Sequence, residues 1–118
     1  MRKILTLIDV QEKLVPLMNN STQFVDNLVI LLKGAKLLDI PIIWMEQLPD
    51  KLGSTIPEIK DVMKGQSPVI KNVFSCGDSD AYLSELNTYN PDEVILCGIE
   101  THVCVYQTAM GLRSMGKG

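Results

Sequence analysis

Four short strand-like runs, the first of them continuously apolar, constrain the fold of this chain more than any other feature. The first, Lys3 to Ile8, is continuous. A strand that faces water on one side alternates, so a continuous run belongs in a sheet covered on both faces. Pro41 opens a second run, Ile42 to Met45; the third is Val69 to Val73 and the fourth Glu93 to Cys97, entered through an Asn90-Pro91 turn. Between them the period changes to that of a helix. Thr22 to Leu38 places Phe24, Leu28, Leu31, Ala35 and Leu38 on one stripe, with Ser21 as N-cap. Pro57 starts a short helix that ends near Gly65, and Asp78 to Leu86 is a helix capped by Asp78 or Ser79. Gln47 to Thr55, with Pro49 and Gly53, reads as a loop. A last helix begins near His102, with Val105 to Met115 as its body. Strands alternating with helices imply right-handed crossovers and a parallel, three-layer α/β/α sheet of Rossmann-like form.

The chain has 118 residues, enough for one domain spanning 1–118 and one core. A net charge of -3, with Lys and Arg in no cluster, argues against a nucleic-acid partner. No apolar run is long enough to span a bilayer. Met1-Arg2-Lys3 carries the charge of a signal peptide, but Asp9 interrupts the apolar segment and no small-residue cleavage site follows, so the expected setting is cytoplasmic. Cys76, Cys97 and Cys104 are odd in number and lack CxxC spacing, which fits reduced thiols rather than a disulfide framework or a zinc site. Cys97 reads as a small buried hydrophobe, and nothing names a role for Cys76. Asp78-Ser79-Asp80 lacks the spaced ligands of a calcium loop and reads as a helix start.

Ligands of parallel α/β sheets bind beyond the carboxyl ends of the strands. Asp9 ends the first strand, Glu46 the second, Lys71 lies on the third, and Cys104 follows the fourth through Gly98-Ile99-Glu100-Thr101-His102-Val103. A thiol at a helix N-terminus is biased toward thiolate, the nucleophilic form. Asp9 is either a satisfied turn residue or a general base for that thiol. Lys71 is either a snorkelling lysine on an edge strand, the better reading on pattern alone, or a cation that supports the thiolate. His102 neighbours Cys104 but would point about 100° away from it on a helix.

Asp9 in Leu7-Ile8-Asp9-Val10-Gln11, Lys71 in Ile70-Lys71-Asn72-Val73-Phe74-Ser75, and Cys104 in Gly98 to Cys104 together resemble the isochorismatase-like cysteine hydrolases, in order and in spacing, from Lys3 to the end of the chain. The resemblance implies a catalytic triad, with Asp9 as base, Lys71 as electrostatic support and Cys104 as nucleophile. It implies a non-proline cis peptide at Ile99-Glu100, and an oxyanion hole made by the backbone amides of Glu100 and Cys104. Gln11, Phe74 and Thr101 are weaker candidates for lining the substrate pocket, and Phe74 reads equally well as core. The activity implied is hydrolysis of a small-molecule amide or related carbonyl through a thioester.

Nicotinamidases of that family bind a metal through an Asp and several His residues; this chain has one histidine, so no metal and no cofactor are expected. True isochorismatases lack the nucleophilic cysteine. The stretch Glu46-Gln47-Leu48-Pro49 through Leu52-Gly53 resembles the metal-free isochorismatase domain-containing subgroup. Family members carry two further strand–helix units, so the domain is expected to be incomplete at its C-terminal side. With the sheet order 3-2-1-4-5-6, the fourth strand would form an apolar edge of the kind that recruits another chain, and a homo-oligomer is expected. The competing reading is a catalytically idle family member that works through oligomer or protein-partner binding. A redox-sensor role for Cys104 is a third, and would need a resolving cysteine nearby.

Overall fold

The computed structural model of the chain describes residues 2–18, 20–73 and 75–99. Strands β1 (Lys3–Ile8), β2 (Ile42–Gln47), β3 (Val69–Lys71) and β4 (Glu93–Gly98) form one parallel sheet in the order β3-β2-β1-β4. Helices α1 (Ser21–Leu37), α2 (Pro49–Leu52), α3 (Pro57–Val62) and α4 (Asp80–Tyr89) connect them. The helix expected to begin near His102 lies outside the described residues.

Alternate side chains of the buried strands feed two cores, as a doubly covered sheet requires. On one face Leu5, Leu7, Ile42 and Trp44 pack with Val25, Leu28, Leu32 and Ala35 of α1, Ile59 of α3 and Met63 just after it. On the other, Ile4, Ile8, Ile43 and Met45 pack with Tyr82 and Leu86 of α4 and with Cys76. The expected three-layer α/β/α architecture is therefore the observed one.

The buried stripe of α1 differs from the one expected. Val25, Leu28, Leu32 and Ala35 are buried, whereas Leu31 is 42% and Leu38 74% exposed. Residues 28–32 read Leu-Val-Ile-Leu-Leu, apolar around most of a turn, so more than one phase fits the period. Packing on the sheet selects between them. The N-cap is Asn20, in the left-handed region with φ 55°, rather than Ser21, which is the first helical residue; asparagine tolerates that region better than most residues. For α4 the cap is Ser79, whose hydroxyl accepts from the Tyr82 amide, while Asp78 belongs to the preceding turn.

The stretch from Gln47 is more ordered than a loop. β2 runs on through Glu46 and Gln47, because β3 pairs with it there: Glu46 lies opposite Ile70 and Gln47 opposite Lys71. Pro49 then starts the single turn of α2. The segment that follows returns alongside the loop after β1. Glu12 and Lys13 donate their amides to the carbonyls of Ser54 and Leu52, and Ile56 donates to Val10.

Candidate active site

The register puts the ends of three strands level at the carboxyl edge. Ile8, the residue before Asp9, pairs with Met45, and Gln47, two residues on, pairs with Lys71. Asp9 itself has φ 56°, in the left-handed region. Aspartate enters that region more readily than most residues, at a cost of about 1 kcal/mol or more. The turn takes the chain off the sheet at once: Val10 drops into the α1 core and Gln11 reaches toward the end of β2. Leu48, directly after Gln47, also has a positive φ, 38°. Backbone strain in a branched residue persists only where surrounding bonds impose it, and here the Leu48 amide donates to the Lys71 carbonyl at 3.0 Å.

Asp9 and Lys71 meet. The Lys71 ammonium donates to Asp9 Oδ2 at 3.0 Å, and both side chains are fully buried. The surface reading of Lys71 is thereby overturned. Its strand is an edge strand, but the side chain crosses the end of β2, about two strand spacings of ~4.8 Å each, to reach β1. A lysine is long enough for that span and a shorter cation is not. Beside Asp9, the ammonium also donates to the Val73 carbonyl at 3.1 Å and to Gln47 Oε1. An ammonium carries three protons, so each has an acceptor among the described residues.

Gln11 is completely buried, and its amide is committed to backbone. Nε2 donates to the carbonyls of Gln47 (2.9 Å) and Gly53 (2.7 Å), and Oε1 accepts from the Gln47 amide at 2.7 Å. Both amide protons are used, so the side chain acts as a brace between β1, β2 and the α2 turn. Glu46, which the sequence places at the same edge, faces the other side of β2. Its Oε2 accepts from the Thr55 amide (2.8 Å) and hydroxyl (2.7 Å), and that hydroxyl accepts from Trp44 Nε1 at 2.7 Å. It latches the returning segment rather than joining Asp9.

Gly98 ends β4 with φ 135°, and an added Cβ would lie 2.0 Å from the Ile8 carbonyl oxygen. Only glycine allows β4 to approach β1 this closely, and the Ile99 amide then donates to Ile8 at 3.0 Å. β4 therefore ends beside Ile8, the residue before Asp9. Cys104, the amides of Glu100 and Cys104, the Ile99-Glu100 peptide, Phe74 and Thr101 lie outside the described residues. Cys76 is fully buried in the α4 core. Burial pushes the Cys97 thiol up to about 12, so it stays protonated and inert near neutrality.

Sequence reasoning passed over Gln47, which the structure puts at the centre of this network. The available signal was the two polar residues, Glu46 and Gln47, that extend an apolar run with no intervening turn residue. Among the described residues no group of three or more His, Cys, Asp and Glu is placed to hold a metal ion. No helix among them is long and apolar enough to cross a membrane.

Residues 3–117 match the family model described as Isochorismatase domain. Isochorismatase domain-containing protein 2A of Mus musculus is 41% identical over 114 residues, covering 96% of this chain and 53% of that protein. Isochorismatase domain-containing protein 2 of Danio rerio is 38% identical over 113 residues, covering 96% and 56%. The chain thus spans about half the length of the curated relatives it matches. Among solved structures, the MAR1 ribonuclease from Caenorhabditis elegans superposes with a TM-score of 0.89 at 32% identity, covering 99% of this chain and 60% of that one. The Escherichia coli YcaC gene product, described as an octameric hydrolase of unknown specificity, gives 0.91 at 21% identity, covering 98% and 59%, and shows the fold alone.

Proposed function

Because the chain belongs to the isochorismatase domain family, with a hydrolase fold, we propose that it is a cysteine hydrolase acting on an amide or related carbonyl of a small molecule. The observation that carries this reading is the buried Asp9–Lys71 pair at the carboxyl edge, beside which β4 ends with the Ile99 amide bonded to Ile8. Two opposite charges withdrawn from water and held by neutral acceptors are costly to keep for stability alone. At a catalytic edge they are useful. Asp9 accepts the thiol proton of Cys104, and the lysine charge favours the thiolate that results.

The thiolate attacks the carbonyl carbon, and the oxyanion is received by the amides of Glu100 and Cys104. Collapse breaks the C–N bond, leaves a thioester on Cys104, and passes the proton from Asp9 to the departing amine. Asp9 then deprotonates a water, which attacks the thioester and releases the acid and the thiol. A solved relative is named a ribonuclease. The net charge of -3, with no cluster of Lys or Arg, favours a small carbonyl substrate over a phosphate backbone.

The test is the pH dependence of alkylation at each cysteine, read by peptide mass spectrometry. Cys104 should label with a reactive pKa well below the ordinary ~8.5, while Cys76 and Cys97 stay unlabelled in the folded chain. Asp9→Asn and Lys71→Met should each move that pKa. Cys104→Ala should remove turnover of any amide substrate found, with the far-ultraviolet circular dichroism unchanged. An ordinary thiol pKa, indifferent to both charge changes, would sink the proposal and leave the idle-fold reading standing.

A further inference from the structure

Lys71 is held by more than its counter-ion. Among the described residues its ammonium donates to Asp9, which carries charge, to the Val73 carbonyl, which is fixed by the backbone, and to Gln47 Oε1, a neutral side-chain acceptor. Gln47 is only 5% exposed, and its own backbone is clamped on both sides: amide to Gln11 Oε1, carbonyl to Gln11 Nε2. The Gln11 amide thus fixes the place from which the Gln47 side chain reaches Lys71. A carboxylate at position 47 would supply the oxygen but leave the buried cluster with one uncompensated negative charge. An apolar side chain would leave a buried ammonium proton without that acceptor, and the flexible lysine stem would be free to shift.

We propose that Gln47, braced by Gln11, is a positioning residue that sets where the Lys71 charge stands relative to Asp9 and to the nucleophile. It acts through Lys71 and does not itself touch the reacting atoms. The inference rests on the reading of Cys104 as a nucleophile activated by this pair, and it names a residue that the Asp-Lys-Cys constellation leaves out.

The experiment is the pH profile of Cys104 alkylation by iodoacetamide in the unaltered chain and in Gln47→Met, Gln47→Glu and Thr55→Val. Gln47→Met removes the acceptor with little change of volume. Gln47→Glu keeps an oxygen but adds charge, and it serves if the Met variant does not fold. Thr55→Val loosens the adjacent segment by cutting its bonds to Glu46 and Trp44 without touching Lys71, so it reports a merely structural effect. The expected result is a rise in the reactive pKa of Cys104 of about one unit in both Gln47 variants, roughly tenfold less thiolate at a fixed lower pH. Thr55→Val should keep the unaltered profile despite a lower melting temperature. A low pKa in the unaltered chain that neither Gln47 variant moves would overturn the inference while leaving the proposed function intact. An equal shift in Thr55→Val would also overturn it, by showing that general loosening suffices. An ordinary pKa in the unaltered chain would overturn the proposed function, and this inference with it.

Discussion

At the scale of single residues, the proposed chemistry depends on a charge pair that water does not reach. Asp9 and Lys71 are both fully buried and 3.0 Å apart. Removing one member strands the other, whereas removing both leaves a neutral site that packs as an apolar one. Lys71→Met alone is expected to cost about 3–5 kcal/mol, and Asp9→Asn/Lys71→Met much less than the sum of its parts. Urea unfolding of the four chains in a double-mutant cycle checks this, and additive losses would show that the pair is not coupled. Position 9 was legible in the sequence because a carboxylate ending an apolar strand stands out. Lys71 was visible, but its pattern alone favoured a surface lysine and only the family resemblance put it beside Asp9. Its burial depends on how far a lysine reaches across β2, which residue spacing does not report. Gln11 was noticed two residues after Asp9, but its partners, Gln47 and Gly53, are distant in sequence and its role as a brace was not readable.

Among the elements, β4 meets β1 at Gly98 with no room for a side chain. Its positive φ of 135° and the 2.0 Å at which an added Cβ would meet the Ile8 oxygen both require glycine. Gly98→Ala must push β4 away from β1 just where the chain departs toward Cys104. The expected loss is at least about 2 kcal/mol, seen as a lower thermal midpoint, together with slower Cys104 alkylation in the fraction that still folds. An alanine variant with unchanged midpoint and unchanged labelling would refute this account of the glycine. The strands were legible because their runs are continuous and bounded by Pro, Gly and Asn. The end of β2 was not. Gln47 looks like the start of a loop, and only pairing with β3 makes it strand. The inward stripe of α1 was equally hidden, since its apolar residues surround most of the helix and the sheet chooses the face.

For the whole molecule, two cores on opposite faces of one sheet set the response to pH. Tyr82 is fully buried in the α4 core, with its hydroxyl 2.8 Å from Thr6 Oγ1. Burial, above all, pushes its phenol well above the ordinary value of 10, the bond to Thr6 opposing in part. Burial likewise takes the Cys97 thiol from 9 to about 12. Both groups hold their protons more tightly in the folded chain than in the unfolded one. Their contribution to stability is therefore full below the unfolded values, near pH 9 and 10, and is lost as pH rises through the folded ones. Base-induced unfolding should set in above about pH 9, and Cys97→Ala and Tyr82→Phe should each flatten the decline, although the second also loses the bond to Thr6 at about 1 kcal/mol. Denaturant midpoints measured from pH 7 to 12 would show it, and a decline of the same slope in both variants would rule out these groups as its cause.

The sequence by itself determined the class of fold, the order of strands and helices, and which polar residues end the strands. Those follow from local patterns: continuous apolar runs, helical periods, and polar residues at strand ends. Tertiary structure alone decided which of those residues meet. Parallel pairing brought Lys71, 62 positions from Asp9, into contact with it across β2, turned Glu46 away to latch Thr55, and recruited Gln11 and Gln47 as supports. Contacts between residues so far apart arise from register and crossover geometry, which no local run of amino acids encodes.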